Sequence, residues 1–230
     1  MTADALVDHH TMLDQMRKTL LITGLLGLLA AVLVGIGEYL LHFDNQGRFS
    51  ATGYDFMMGI GAERSTIGHF FGVLGATLYP VGCYHIYLML RPANARVAFA
   101  AFLLASFGFM VGMVWIGSRA SISALVNLPP SEEITQLISL YQVRYETLLQ
   151  IIRITTLVLS VIIIWLSIGG RSHYPRWMGI FNPILLLVLN FALYAFLPAI
   201  GKHTMPIALN VAFFIFFLLS TLLALRVKDS

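Results

Sequence analysis

Four ionisable side chains cluster where the first long apolar segment of the chain ends and the second begins. Glu38 and His42 lie four residues apart, so a helix places both side chains on one face, and Asp44 follows within a turn. His69 lies at the start of the second apolar segment. Ionisable groups at the end of a membrane span usually face a protein interior or a wet cavity, because exposing them to lipid costs free energy. This stretch is therefore the first candidate for a functional site.

A metal centre is one chemistry that these residues could support. Carboxylate oxygens and imidazole nitrogens are ligands of Zn²⁺, so Glu38, His42 and His69 are the candidate ligands, with zinc as the candidate cofactor. The sequence has no H-x-x-x-H or H-E-x-x-H motif that would strengthen this reading. Hydrogen-bonded or proton-accepting histidines are the default interpretation, and both metal occupancy and enzymatic activity stay open.

The elements that position these residues are membrane-spanning helices. Hydrophobic residues make up 58% of the chain and charged residues only 11%, whereas charged residues are about a quarter of a typical soluble domain. A helix needs about 20 apolar residues to cross a bilayer. The segments that meet this length predict an all-α integral membrane protein, built as a six-transmembrane-helix bundle. They are residues 19–43, 67–90, 97–117, 148–169, 178–200 and 204–225.

Two residues of the second segment have predicted roles in its helix. Pro80 lies in the middle of the span and should kink it, because proline removes one backbone hydrogen bond. His85 lies near the inner end of the span and is expected to be a packing histidine with satisfied hydrogen bonds.

Three further segments are predicted beside the spans. Residues 1–17 combine polar side chains with apolar ones at roughly helical spacing, which indicates a short amphipathic helix on the membrane before a single transmembrane domain of residues 18–230. Apolar residues at spacings of three and four after a Ser131 cap predict an outer amphipathic helix that runs into the fourth span. The connection 44–66 mixes charged and apolar residues and is expected to form a partly buried flap.

Polar residues of different spans are predicted to share one depth in the membrane. At about 1.5 Å per residue, Glu38 lies roughly 28 Å up the first span and Arg153 roughly 24 Å up the fourth. An arginine in a bilayer core costs about 3 kcal/mol or more, so Arg153 requires a partner, and Glu38 is the predicted one. A structural ion pair and a pair that handles a substrate are both open readings. The candidate catalytic residues are Glu38, His42, His69 and Arg153, and the candidate substrate-binding residues are Asp44, Ser118, Arg119, His203 and Asn210.

Basic residues predict the orientation of the bundle. The side that holds both termini collects more Lys and Arg than the opposite side, so the positive-inside rule predicts a multi-pass inner-membrane protein with both termini in the cytoplasm. These basic residues are scattered at span ends and form no patch, which speaks against nucleic acid as a partner. Gly68-x-x-x-Gly72 and Gly108-x-x-x-Gly112 allow close helix contacts and are candidate faces for a homo-oligomer or a membrane partner subunit.

The ionisable groups are expected to form one layer beneath two long connections between spans. This arrangement predicts an outward-facing polar pocket that binds membrane lipid or an amphiphilic small molecule. We expect Glu38, His42, His69 and Arg153 to line it, and we expect it to open beneath the 44–66 connection. A lipid-modifying or hydrolytic activity is an option within this reading. The alternatives are a non-catalytic accessory or scaffold subunit of a membrane assembly and, further, a small transporter. The sequence carries no Rossmann or P-loop glycine motif, so nucleotide-driven chemistry is not expected.

Overall fold

The computed structural model describes residues 3–48 and 53–227, with side chains from residue 14 onward. This part of the chain is helical and contains no strand, which confirms the all-α prediction. Short 3₁₀ turns lie at Asp55–Met57, Arg176–Gly179 and Met205–Ile207. The helices are α1 (Ala3–His42), α2 (Ala62–Ala76), α3 (Tyr79–Leu90), α4 (Ala95–Val126), α5 (Glu132–Ile168), α6 (Pro183–Phe196), α7 (Pro198–Thr204) and α8 (Ala208–Ala224).

Within the described ranges, five helical segments are long and apolar enough to cross a membrane. This finding supports a multi-pass membrane protein, but it does not confirm the six-span count. The predicted span 178–200 instead contains α6, whose 14 residues extend about 21 Å, against roughly 30 Å for a bilayer core. The Asn182 side chain caps the start of α6. Pro198 ends it, because proline has no N–H to donate and disfavours a helical conformation at the residue before it. The five segments are Asp14–His42, Ala62–Leu90, Ala95–Val126, Glu132–Ile168 and Pro198–Ala224.

The first and last helices of the bundle meet at one end. Near the start of the first span, the Arg17 guanidinium donates a hydrogen bond to the Leu225 carbonyl just after α8, with an Nη2–O distance of 2.9 Å. The chain therefore enters and leaves the bundle at the same end, which we call the terminal end. The opposite end, which we call the loop end, carries the α1–α2 and α4–α5 connections.

The N-terminal segment is not a separate amphipathic helix. Helix α1 runs without a break from Ala3 to His42, so the backbone of residues 3–17 continues directly into the first span. Residues 1–2 and the side chains of residues 3–13 lie outside the described part of the structure, so the amphipathic character of this segment stays a prediction.

The helix predicted before the fourth span is also continuous with that span. Helix α5 has 37 residues, which corresponds to about 56 Å. The Ser131 hydroxyl accepts a hydrogen bond from the Ile134 N–H group, which confirms the predicted cap. Because α5 is much longer than a bilayer core, its first turns project beyond the loop end of the bundle.

A break divides the second span into α2 and α3. Helix α2 ends at Ala76 and α3 begins at Tyr79, with Pro80 in the first turn of α3. The proline ring conflicts with the carbonyl of residue 76, four positions earlier, so the helix cannot continue regularly through it. The predicted kink is therefore confirmed, and it places Tyr79 in the buried core.

Glycines bring helices of this chain into backbone contact. A Cβ atom on Gly37 of α1 would collide with the Gly72 backbone N and the Gly68 backbone O of α2. A Cβ atom on Gly108 of α4 would collide with the Thr155 side chain of α5. Both predicted glycine motifs thus serve contacts within the chain. An oligomer or partner subunit stays a prediction, and these glycines no longer assign a surface to it.

A buried hydrogen-bond chain closes the terminal end. The Leu20 carbonyl lies 2.9 Å from His85 Nδ1, which carries the ring proton because a carbonyl can only accept. His85 Nε2 then accepts from the Ser220 hydroxyl at 2.6 Å, and Ser220 Oγ accepts from the Tyr174 hydroxyl at 2.7 Å. These side chains are buried. The prediction that His85 is a packing residue with satisfied hydrogen bonds is confirmed.

Candidate functional site

Glu38 is joined to two other helices by hydrogen bonds. It is buried on α1, where the side-chain amide of Asn210 on α8 donates to its Oε2 atom. Asn210 Oδ1 in turn accepts from the Tyr79 hydroxyl of α3 at 2.6 Å. Glu38 is therefore held in place through one oxygen, whereas its Oε1 atom accepts no hydrogen bond from a described residue.

A cavity of about 240 Å³ lies against this hydrogen-bond chain. Its wall is mostly apolar and comes from α1, α4, α5, α6 and the start of α8, with Tyr79 of α3. The polar groups are few: they belong to Glu38, Tyr79, Arg153, Thr156 and Asn210. A concave, mostly apolar space with a small number of polar groups is the usual form of a small-molecule site.

Arg153 lines the same cavity but does not pair with Glu38. In the part of the chain that the structure describes, Arg153 forms no ion pair or hydrogen bond with Glu38, with Glu146 or with any other residue. The predicted Glu38–Arg153 pair is therefore wrong. Glu38 is instead hydrogen-bonded to Asn210, and the cavity is lined by both Glu38 and Arg153. Arg153 is left as an exposed cation on a membrane-spanning helix.

A second polar site lies one helical turn further along α1. Arg119 of α4 is buried, and its Nε atom donates to His42 Nε2 at 2.9 Å. Because a guanidinium only donates, His42 is neutral and carries its proton on Nδ1. The Arg119 Cζ atom lies 4.8 Å from the ring centroids of Tyr54 and Trp115 and 5.8 Å from that of Phe56. Aromatic faces attract a cation, so these three rings stabilise a buried arginine that has no carboxylate partner among the described residues. Together with the His42 imidazole, they form the aromatic cage.

The aromatic cage is covered by residues 53–60, which form the flap. At the end of α4, the Asn127 side chain donates to the Met57 carbonyl at 3.0 Å and accepts from the Gly59 N–H group at 2.7 Å. The Met57 side chain, which belongs to the flap itself, is fully buried. The prediction of a partly buried flap is confirmed for these residues. The flap covers Arg119, however, and no described residue of the 44–66 connection lines the cavity.

Asp44 organises the chain that leads from α1 toward the flap. Its carboxylate accepts hydrogen bonds from the Gln46 and Arg48 backbone N–H groups and forms an ion pair with the Arg48 side chain at 2.8 Å. The hydrogen bond from the Arg48 side chain lowers the pKa of Asp44 to about 2. Both carboxylate oxygens are engaged, so this candidate substrate-binding residue has a structural role.

Two other candidate substrate-binding residues lie apart from the cavity wall. The Ser118 hydroxyl donates to the Trp115 carbonyl at 2.7 Å, as expected for a serine that bonds back to its own helix. His203 is exposed, shares a hydrogen bond of 3.2 Å with the Tyr39 hydroxyl and stacks on Phe43. The Ser118 hydroxyl therefore donates to its own helix and not to a histidine that could activate it as a nucleophile.

The three candidate metal ligands do not meet. Glu38 lines the cavity, His42 belongs to the aromatic cage, and His69 packs near Gly117 of α4, where a Cβ atom would lie 3.9 Å from its Cε1 atom. Among the described residues, no group of three or more His, Cys, Asp or Glu side chains is arranged to hold a metal ion. The single pocket predicted for Glu38, His42, His69 and Arg153 is thus divided. Trp115 lines the cavity and also contacts His42, so its indole separates the two sites.

Sequence reasoning missed the aromatic residues of both sites. Trp115 lies four residues before Arg119 on one helix, a spacing that indicates contact and could have identified it. Tyr79 stands beside the predicted kink at Pro80, but nothing in the sequence directs its hydroxyl to Asn210. Tyr54 gives no local signal, because its position depends on how the flap folds back over α4.

Residues 12–227 match the family of unknown function DUF6796. No curated protein and no solved structure matches the chain. The cavity and the aromatic cage are therefore the features of this chain that indicate a function.

Proposed function

We propose that this chain, which belongs to the DUF6796 family of unknown function, binds a lipid or an amphiphilic small molecule in the cavity between Glu38 and Arg153. The observation that carries the proposal is Arg153, a cation on a membrane-spanning helix that faces a mostly apolar cavity without a described partner. An arginine at such a depth costs about 3 kcal/mol or more unless it is compensated. An anionic ligand group would provide that compensation.

The polar groups of the cavity define the ligand's head. The Arg153 guanidinium presents donors in a planar fork that suits a carboxylate or a phosphate. Glu38 Oε1 has no described hydrogen-bond donor, so a hydroxyl or amine of the ligand would suit it. The ligand class is therefore an amphiphile whose head carries both an acidic group and a hydrogen-bond donor.

The size and wall of the cavity define the rest of the ligand. A volume of about 240 Å³ lies below the usual range of about 300–1,000 Å³ for sites that enclose a whole ligand. The cavity would therefore hold the head and the first part of a hydrocarbon chain. Apolar residues such as Val34, Phe109, Ile152 and Leu187 line the remaining wall and would contact that chain.

The same geometry favours binding over hydrolysis or transport. The Ser118 hydroxyl is bonded to its own helix, so a serine-based hydrolytic mechanism has no activated nucleophile here. Near the terminal end, His85 and Ser220 are fully buried and their hydrogen bonds are satisfied within the bundle, so neither side chain is available to line a path for a transported molecule.

We also propose an inner-membrane location with the terminal end in the cytoplasm. The hydrogen bond between Arg17 and Leu225 supports a shared side for both ends of the bundle, and the excess of basic residues supports the cytoplasmic side. Cysteine labelling in intact cells, after Cys83 is replaced by Ala, tests this. A cysteine at position 45 should react with an impermeant reagent and one at position 172 should not; the reverse pattern would contradict the orientation.

Crosslinking with a photoactivatable fatty acid tests the ligand site. We expect Arg153→Met to reduce labelling about tenfold or more, because a hydrogen bond to a charged group contributes about 1.5–3 kcal/mol. Arg144→Met is the matched control, since it removes the same charge from an exposed residue of the same helix that does not line the cavity. Labelled peptides should come from the cavity wall on α4, α5 or α8. Equal labelling of both variants, or labelled peptides from elsewhere, would refute the proposal.

A further inference from the structure

A second, larger cavity of about 500 Å³ lies at the terminal end of the bundle. It is formed by the turn after α5 and by the end of α8, far along the chain from the residues around Glu38. Arg176, His173 and Ser172 contribute from the turn, and Arg226 contributes from the segment after α8. Among the residues that the structure describes, up to Val227, no carboxylate lines the cavity.

The turn that carries Arg176 is held in place by the rest of the bundle. The His173 N–H group donates to the Met89 carbonyl at 2.9 Å, and the buried Tyr174 hydroxyl bonds to Ser220. Gly170 has a φ angle of +69°, which favours glycine. The Arg176 guanidinium packs over this glycine, since a Cβ atom there would lie 3.5 Å from Arg176 Nε. The arginine is therefore preorganised on a rigid turn.

The charge of this cavity is positive and is carried by arginines. Within the described ranges, neither Arg176 nor Arg226 has an ion-pair partner. Arg17 adds a third guanidinium beside them, because it donates to the Leu225 carbonyl next to Arg226. Burial, with a contribution from nearby Arg91, lowers the pKa of His173, so this side chain is neutral near pH 7. The cavity therefore attracts anions over the whole physiological pH range.

The surroundings of the cavity belong to the membrane surface. Trp177, next to Arg176, is 45% exposed, and exposed tryptophans are typical of the headgroup level of a bilayer. Apolar side chains that would face lipid chains lie beside it: Ile180 is 64% exposed and Leu222 is 51% exposed. A guanidinium pair at headgroup level above an apolar surface matches an acidic phospholipid, with its phosphate in the cavity and its chains along these residues.

We propose that this cavity is a binding site for the headgroup of an anionic phospholipid, with Arg176 and Arg226 contacting the phosphate. The site differs from the Glu38–Arg153 cavity in its residues and in its end of the bundle, so it does not depend on the function proposed above. A free phosphate ion shares the same chemistry, but it would leave the exposed apolar residues beside the cavity without a contact. The experiment separates the two sources.

Native mass spectrometry of the full chain, with phosphatidylglycerol and phosphatidylcholine offered at equal concentration, tests the proposal. The wild type should retain phosphatidylglycerol preferentially. At about a fivefold contribution per arginine, the double variant Arg176→Gln/Arg226→Gln should weaken retention about twenty-fivefold. The control Arg96→Gln removes an exposed arginine of the same end that does not line the cavity, and it should retain the lipid. Arg176→Lys/Arg226→Lys keeps the charge and should preserve most of the preference, which guards against a folding defect.

Two outcomes would overturn the proposal. The first is a failure of selectivity: either the wild type retains the two lipids equally, or the Arg96→Gln control loses phosphatidylglycerol as strongly as the double glutamine variant does. The other is displacement of phosphatidylglycerol by millimolar inorganic phosphate, together with phosphate adducts that the double glutamine variant loses. That second result would assign the cavity to a free anion.

Discussion

Gly37→Ala tests whether the backbone contact between α1 and α2 fixes the candidate site. The added Cβ atom would meet the Gly72 backbone N and, at 2.7 Å, the Gly68 backbone O. These are backbone atoms, so no side chain can rotate away and the two helices must separate. Separation would move Glu38, the next residue, relative to its partner Asn210.

The magnitude follows from two opposing terms. Overpacking a tight contact costs typically about 1–3 kcal/mol, and a contact with backbone on both sides belongs at the upper end. Replacing glycine by alanine in a helix recovers about 1 kcal/mol. We therefore expect a net loss of about 2 kcal/mol, which corresponds to a fall of about 5 °C in Tm for a chain of this size.

Gly35→Ala is the matched control, because it lies two residues away on the same helix. Its added Cβ atom would meet only Asn210 Cβ at 3.5 Å, an ordinary van der Waals distance. We expect its Tm to be unchanged or slightly raised by the gain in helix propensity. Thermal unfolding of the wild type and both variants, followed by circular dichroism in one detergent, measures the difference. If Gly37→Ala unfolds at the same temperature as Gly35→Ala, the close contact does not hold α1 against α2 and the reasoning fails.

Two further predictions concern the loop end. Asp44→Asn should cost about 1–2 kcal/mol at pH 7, because the pKa of Asp44 is lowered to about 2 by its hydrogen bonds with Arg48. A lowered pKa stabilises the fold above about pH 4, so the wild type should lose this contribution as the pH falls from about 4 to about 2. If the stability of Asp44→Asn depended on pH in the same way as that of the wild type, the assignment would be contradicted. Asn127→Ala removes two hydrogen bonds to the flap, so amide exchange at Gly59 should quicken about five- to thirtyfold. The exposed Asn45→Ala is its control, and unchanged exchange in both variants would show that Asn127 does not fasten the flap.

Local rules predicted much of the helical framework. The cap at Ser131 and the break before Pro80 follow from hydrogen-bonding capacity and ring geometry within a few residues, and both were predicted correctly. The span 178–200 is not confirmed, because its uniform apolar composition outweighed the local signal of Pro198 in the sequence reasoning. Pro198 was read as part of that span, yet it ends α6 after 14 residues.

The candidate site was less predictable because its partners come from distant parts of the chain. Depth along each span correctly brought Glu38, Arg153 and Asn210 to one cavity. Depth does not say which groups touch, however, and Glu38 is hydrogen-bonded to Asn210 in place of Arg153. The sequence also gave no reason to expect Tyr79 as the third member of that hydrogen-bond chain.

Arg119 and Arg153 differ in what compensates their charge, and this difference is the reason that the proposed ligand site is placed at Arg153. Arg119 is buried, donates to His42 and lies 4.8 Å from two aromatic ring centroids, so the protein itself supplies the attraction that a buried cation needs. The flap then covers it, and a ligand would have to displace Tyr54 and Phe56 to reach it. Arg153 has neither an aromatic face nor an ion-pair partner among the described residues. Its side chain lines a cavity whose wall is mostly apolar. Sequence reasoning gave both arginines a role at one substrate. The structure shows internal compensation for Arg119 only, and the proposed function assigns the compensation of Arg153 to a ligand.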